Sequence, residues 1–128
     1  KEFVILPPFW CDYGYNIEFD GFVYVNHNSV FLDCAKIKIG AGTFIGPNCG
    51  LYTAVHPTNA KDRVAGKEWA EPITIGKGVW LGGNVVVLPG VTIGDRAVIG
   101  AGSVVTKNIP ADTVAVGNPC RVIKRNIN

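Results

Sequence analysis

Residues Pro72 to Val105 read PITIGKGVWLGGNVVVLPGVTIGDRAVIGAGSVV, and an aliphatic residue returns at every sixth position: Ile75, Leu81, Val87, Ile93, Ile99 and Val105. Gly76, Gly82, Gly94 and Gly100 follow four of them, while Leu88 and Thr106 follow the other two. A second register, four positions beyond the first, holds Val79, Val85, Val91, Ala97 and Ser103. A period of six matches neither the 3.6-residue helix nor a long alternating strand; it matches a short strand and a tight corner, repeated. Three such sides close a coil of about 18 residues, and stacked coils pair their backbones along the stacking axis at about 4.8 Å. Both registers then point inward as the core ladders of a β-solenoid. Glycine suits the corner because it tolerates positive φ and close backbone approach.

Upstream the pattern is less clean. Phe19, Val25 and Phe31 form one run and Ile39, Ile45 and Leu51 another, offset by two residues around Asp33 to Lys36, which implies an insertion between two coils. From Leu51 to Ile75 the spacing is again a multiple of six, but Pro57 and Arg63 stand where aliphatics belong and the stretch is polar. Residues 52–71 are therefore expected to be an extruded loop without secondary structure of its own, the kind of segment that carries function on a regular scaffold. The repeat stops at Lys107-Asn108-Ile109-Pro110, and Gly117-Asn118-Pro119 makes a second break. The spacing thus predicts one domain over 1–128, with coils at about 13–51 and 73–110. The tail, 111–128, is at most a short helix or strand covering the last coil, because a bare solenoid end is an exposed edge.

Composition bounds the function. The chain has 128 residues, 48% hydrophobic and 17% charged, which excludes a disordered chain. The net charge of +2, without a basic block, argues against a nucleic-acid partner. No apolar run approaches the roughly 18 residues of a membrane helix, and no secretory leader is expected. Cys11, Cys34, Cys49 and Cys120 form no C-x-x-C pair, so neither a zinc knuckle nor a redox motif is present. Free thiols among small apolar neighbours point to the cytoplasm. The scarcity of Leu-, Ala-, Glu- and Lys-rich stretches predicts few helices.

The segments Cys11-Asp12-Tyr13-Gly14-Tyr15-Asn16-Ile17, Tyr52-Thr53-Ala54-Val55-His56-Pro57, Ile75-Gly76-Lys77-Gly78-Val79-Trp80-Leu81-Gly82-Gly83, Ile99 to Lys107 and Gly117 to Ile123 together carry a resemblance that spans essentially the whole chain. The chain resembles the hexapeptide-repeat acyltransferases, and more narrowly the sugar O-acetyltransferases of the maltose, galactoside and nodulation-factor type. The resemblance implies an all-β fold, a left-handed parallel β-helix with an extruded loop and a short C-terminal extension. It also implies a homotrimer, acetyl-CoA as cosubstrate with no metal, and a small sugar acceptor such as maltose, glucose or a galactoside.

Transfer of an acetyl group to a hydroxyl needs a base, since a neutral alcohol is a poor nucleophile, and a histidine is suited to the task. By resemblance the base is His56, in the loop. Asp12, Asn26, Asp33 and Glu68 would hold the acceptor; their alternative is corner chemistry, because Asn and Asp favour bends. The pantetheine arm of coenzyme A would run past Trp80 and Gly83 to Ala101, with Thr106, Lys107, Arg121 and Lys124 near the nucleotide. The alternatives there are a solvated basic tail and an ordinary interface tryptophan. Lys124 stands where close relatives have arginine, which keeps charge but loses the bidentate fork. Cys34 stands where some relatives carry a second carboxylate.

Other readings share the scaffold. A γ-type carbonic anhydrase wants three histidines around zinc, and this chain has His27 and His56 alone, with no cysteine spaced to replace the third. His27, between Asn26 and Asn28, reads as a polar surface or interface residue. A non-sugar acceptor (serine or an antibiotic) or a non-catalytic β-helix assembly module completes the set.

Overall fold

The computed structural model describes residues 2–126, and its strands stack as parallel rungs of a three-faced solenoid. The first coil is β1 (Val4–Ile5), β2 (Phe9–Cys11) and β3 (Ile17–Phe19); the second is β4 (Val23–Val25), β5 (Ser29–Leu32) and β6 (Ile37–Ile39). The third runs through β7 (Thr43–Ile45) and β8 (Gly50–Tyr52) into the loop. That loop holds β9 (Ala54–Val55), α1 (Ala60–Val64) and β10 (Trp69–Ala70), and it returns to β11 (Ile73–Ile75). Next come β12 (Trp80–Leu81), β13 (Val86–Val87) and β14 (Thr92–Ile93), then β15 (Val98–Ile99) and β16 (Val104–Val105). Ile109 bridges to Ile93, and β17 (Thr113–Gly117) and β18 (Cys120–Arg125) end the chain.

The first face stacks β1, β4, β7, β12, β15 and β17 in parallel, with β18 added antiparallel; the second stacks β2, β5, β8, β13 and β16; the third stacks β3, β6, β11 and β14. The two aliphatic registers expected to face inward do so: Ile75, Leu81, Val87, Ile93, Ile99 and Val105 are buried, as are Val79, Val85, Val91, Ala97 and Ser103.

Registers locate the departures from the six-residue period, all of them between the second and third faces, where Ile109 also follows Val105 by only four residues. Along the first and third corners the inward residues keep that spacing, as in Val25 to Phe31, Phe19 to Val25, and Leu81 to Val87. At the second corner, between the second and third faces, two extra residues enter both between Cys11 and Phe19 and between Phe31 and Ile39. The loop between Leu51 and Ile75 enters at the same corner. The offset near Asp33 is thus a wider corner within a coil, shared by the first two coils, rather than an insertion between coils. Three boundaries differ from expectation. The rungs begin at Val4, because Val4 and Ile5 pair with Tyr24 and Val25. The loop carries a two-stranded ribbon and a helical turn, with Asn59 capping α1 by accepting from the Asp62 amide. The tail supplies a further rung, β17, whose edge β18 covers.

Glycine at the corners answers close approach rather than positive φ. A Cβ on Gly82 would lie 2.7 Å from the Ala101 nitrogen of the next coil. The left-handed conformation falls two residues later, at Gly102 (φ 78) or, where the side chain can bear it, Asn84 (φ 59).

The outward residues divide the faces. The first face presents Tyr24, Phe44, Trp80, Val98 and Val114 in register, and the second presents Trp10, Val30, Gly50, Val86 and Val104. The third presents Glu18, Lys38, Thr74 and Thr92. Two faces are apolar outside and one is polar.

Inside, the few polar side chains serve corner backbone. Thr43 Oγ1 donates to the Gly76 carbonyl at 2.8 Å, and Ser103 Oγ donates to the Gly100 carbonyl and accepts from the Gly117 amide. Ser29 Oγ is fully buried and has no hydrogen-bond partner among the described residues. An orphaned buried hydroxyl carries its desolvation cost uncompensated. Ser29→Ala is therefore expected to stabilise the fold by about 1 kcal/mol, read as a higher denaturant midpoint at unchanged slope.

Candidate active site

The loop leaves the solenoid at the second corner, where Thr53 holds it to the coil beneath: its Oγ1 donates to the Leu32 carbonyl at 2.7 Å and accepts from the Ala35 amide at 3.0 Å. β9 and β10 pair antiparallel, Val55 opposite Trp69 and Ala54 opposite Ala70. One step further, His56 follows Val55 and Glu68 precedes Trp69, so the ribbon carries both to the same outer end. The imidazole of His56 is exposed and makes no hydrogen bond among the described residues. Both ring nitrogens are open.

Below the ribbon lies the wide corner of the first two coils. Asp33 is fully buried there, and its carboxylate accepts four backbone amides: Asp12 (3.1 Å) and Tyr13 (2.9 Å) on Oδ1, Gly14 (2.7 Å) and Asn16 (3.1 Å) on Oδ2. Burial by itself raises a carboxyl pKa, but the amides of Tyr13, Asn16 and Gly14 outweigh it and hold Asp33 below its ordinary value. Four donors fill the lone-pair sites of a carboxylate. The oxygens of Asp33, expected to touch the acceptor, are committed to the backbone and shape the 12–16 corner.

Asp12 remains exposed, and Cys34 Sγ donates to its Oδ2 at 3.2 Å. The hydrogen bond to Asp12 first, then burial and the charges of Asp12, Glu68 and Asp33, push the Cys34 thiol up, so it stays protonated and a donor. Tyr13 feels Cys34, Tyr15, Asp12 and Glu68, and its phenol is pushed up in turn. The charge of Glu68, carried on the loop, is thus felt at the corner that holds Tyr13 and Cys34.

The remaining expected residues lie elsewhere. Asn26 sits at the first corner, where its Oδ1 accepts from the His27 amide at 2.7 Å. Gly83 and Ala101 share that corner in later coils, and Trp80, 58% exposed, stands beside them on the first face. Thr106 and Lys107 follow β16 and lie on the second corner, while Arg121 and Lys124 are exposed on β18. Within one chain the expected set therefore splits: His56, Asp12, Glu68, Thr106 and Lys107 on one edge, and Asn26, Gly83 and Ala101 on the other. The four residues of β5 separate the two edges by about 13 Å at the strand rise.

His27 Nδ1 lies 2.7 Å from the Pro7 carbonyl, tied to the preceding coil and away from the loop, so the two histidines do not share a centre. No group of three or more His, Cys, Asp or Glu side chains among the described residues is placed to hold a metal ion. No helix among them is long and apolar enough to cross a membrane.

Comparison with known proteins identifies the family. Residues 72–107 match the model for bacterial transferase hexapeptide repeats. A crystal structure of a maltose O-acetyltransferase from Clostridium difficile 630 superposes with a TM-score of 0.93 at 51% identity, over 100% of this chain and 68% of that one. The chain belongs to the hexapeptide-repeat acetyltransferases. A hexapeptide-repeat acetyltransferase of Vibrio cholerae O1 biovar eltor, complexed with acetyl-coenzyme A, superposes at 0.94 with 41% identity, over 99% and 69% of the two chains. A galactoside acetyltransferase in complex with coenzyme A superposes at 0.88 with 45% identity, over 94% and 60%. A relative from Saccharomyces cerevisiae is 54% identical over 97% of this chain but 63% of its own length. The chain spans about three-fifths of the curated relatives it matches.

The Asp33 cradle was hidden at sequence level because neither the Asp nor its partners announce which backbone they meet. The sequence signal for the adjoining edge is the symmetric placement of Tyr13 and Tyr15 about Gly14. Asp33→Asn is expected to cost about 2–4 kcal/mol near neutral pH. Because the folded pKa is depressed, the stability Asp33 contributes is present above the ordinary Asp range. It fades as pH falls through the lower folded value, so the gap between wild type and variant narrows below about pH 4 in denaturant titrations.

Proposed function

We propose that this protein transfers the acetyl group of acetyl-CoA to a hydroxyl of a small sugar, with His56 as general base. The observation that carries the reading is the exposed imidazole, without a hydrogen bond among the described residues, at the outer end of the β9–β10 ribbon, on the same edge as an acidic corner that can bind hydroxyls. In the reaction His56 takes the proton of the acceptor hydroxyl as the oxygen attacks the thioester carbonyl. The carbon–sulfur bond then breaks, and the imidazolium returns its proton to the departing thiolate, giving the ester and free coenzyme A. Asp12 and Glu68 accept hydrogen bonds from acceptor hydroxyls, and Asp33 holds the corner that presents Asp12.

The pantetheine arm lies along the first corner past Trp80 and Gly83 to Ala101, while Thr106, Lys107, Arg121 and Lys124 face the nucleotide phosphates. Since base and arm sit on different edges of one chain, a productive site needs two chains. A closed homotrimer, in which the second corner of one protomer meets the first corner of its neighbour, supplies that pairing and covers the apolar first and second faces. Asn26 joins the acceptor site from across this interface. All four cysteines are free, which suits a reducing cytoplasm.

His56→Ala is expected to lower kcat about a hundredfold or more while leaving the unfolding midpoint unchanged; near-normal turnover would remove His56 from the role. Mixing His56→Ala with Ala101→Glu subunits, each inactive alone, should restore part of the activity if the site is shared between chains. Thiol release from acetyl-CoA with a panel of sugars reads both experiments.

A further inference from the structure

Tyr13 and Tyr15 leave the same corner on either side of Gly14, whose φ of 91 turns the chain so that both side chains project to one side. Their rings stack with centroids 5.0 Å apart and planes inclined by 26°. Tyr13 is 58% and Tyr15 73% exposed. Exposed aromatics on a mobile turn would carry little meaning, but this turn is pinned at four backbone amides by a buried carboxylate. The stack is thus preorganised, and it stands on the corner of Asp12, whose Oδ2 accepts from Cys34 Sγ, within reach of the charge of Glu68.

A flat apolar surface rimmed by carboxylates and a neutral phenol is the chemistry that recognises a pyranose. The axial C–H face of such a ring is apolar, and its hydroxyls lie around the edge. We infer that the Tyr13–Tyr15 stack is the platform on which a sugar ring of the acceptor lies, and that it makes these two tyrosines specificity-determining residues for ring acceptors over acyclic alcohols. This rests on the acetyl-transfer reading for its kinetic test but not for its binding test. The carboxylate rim turns the hydroxyls toward Asp12 and Glu68, and the tyrosines supply area and orientation rather than chemistry.

Tyr13→Ala and Tyr15→Ala in the intact protein are expected to raise KM for glucose or maltose by about tenfold each, the scale of one lost aromatic contact. KM for acetyl-CoA, turnover with glycerol and oligomer mass should be unchanged. Tyr13→Phe and Tyr15→Phe should stay within a few-fold of wild type, since the ring face persists. A sugar KM within twofold of wild type in both alanine variants overturns the assignment. So does dissociation of the oligomer, which would make the stack an interface element. If wild type acetylates no hydroxyl at all, the transfer reading fails, and the platform is read directly by NMR. Millimolar maltose that shifts the Tyr13 and Tyr15 ring resonances supports it; unmoved resonances overturn it.

Discussion

Backbone pairing between coils governs this molecule. Each strand of the coils, two to five residues long, is too short to stand alone, and its N–H and C=O groups find partners in the strands stacked above and below it. Any insertion inside a rung would break every ladder that crosses it. Among the parallel rungs extra residues are tolerated only at corners, and there they collect at one of them, from the two-residue widenings of the first two coils to the loop of the third; the bulge in the antiparallel β18 falls on a strand paired on one side only. The site is therefore placed by the same constraint that builds the core.

At that corner the decisive interaction is the carboxylate of Asp33 among four amides. A wide turn of non-repeating sequence would otherwise leave its N–H groups facing outward without order, and the buried charge gathers them. The consequence is a stiff edge on which Asp12 and the tyrosines stand, under a ribbon that brings His56 and Glu68 to one end. Rigidity here is electrostatic, whereas in the coils it comes from packed aliphatics such as Ile39, Ile75 and Ile93.

The faces add a second level of organisation. Tyr24, Phe44 and Trp80 on one side, and Trp10, Val30 and Val86 on the next, leave apolar ladders outside the protomer, while Glu18 and Lys38 mark the side suited to water. On the proposed reading, that asymmetry and the separation of His56 from the Gly83 and Ala101 edge tie catalysis to assembly.

The sequence by itself determined the solenoid, the inward ladders from Ile75 to Val105, the extruded loop and the histidine in it, because a strict period of six has few physical solutions and a break in that period is conspicuous. Its grip loosened over the first eleven residues, where short strands with Pro7 and Pro8 show no period, and over the tail, where β17 continues a rung past the visible repeat. Only the tertiary structure decided that Asp33 faces the backbone rather than a ligand, that Tyr13 and Tyr15 stack, and that the expected residues divide between two edges. Those outcomes depend on which residues of different coils meet at a corner, and a corner's partners lie about twenty positions away, beyond the reach of local pattern.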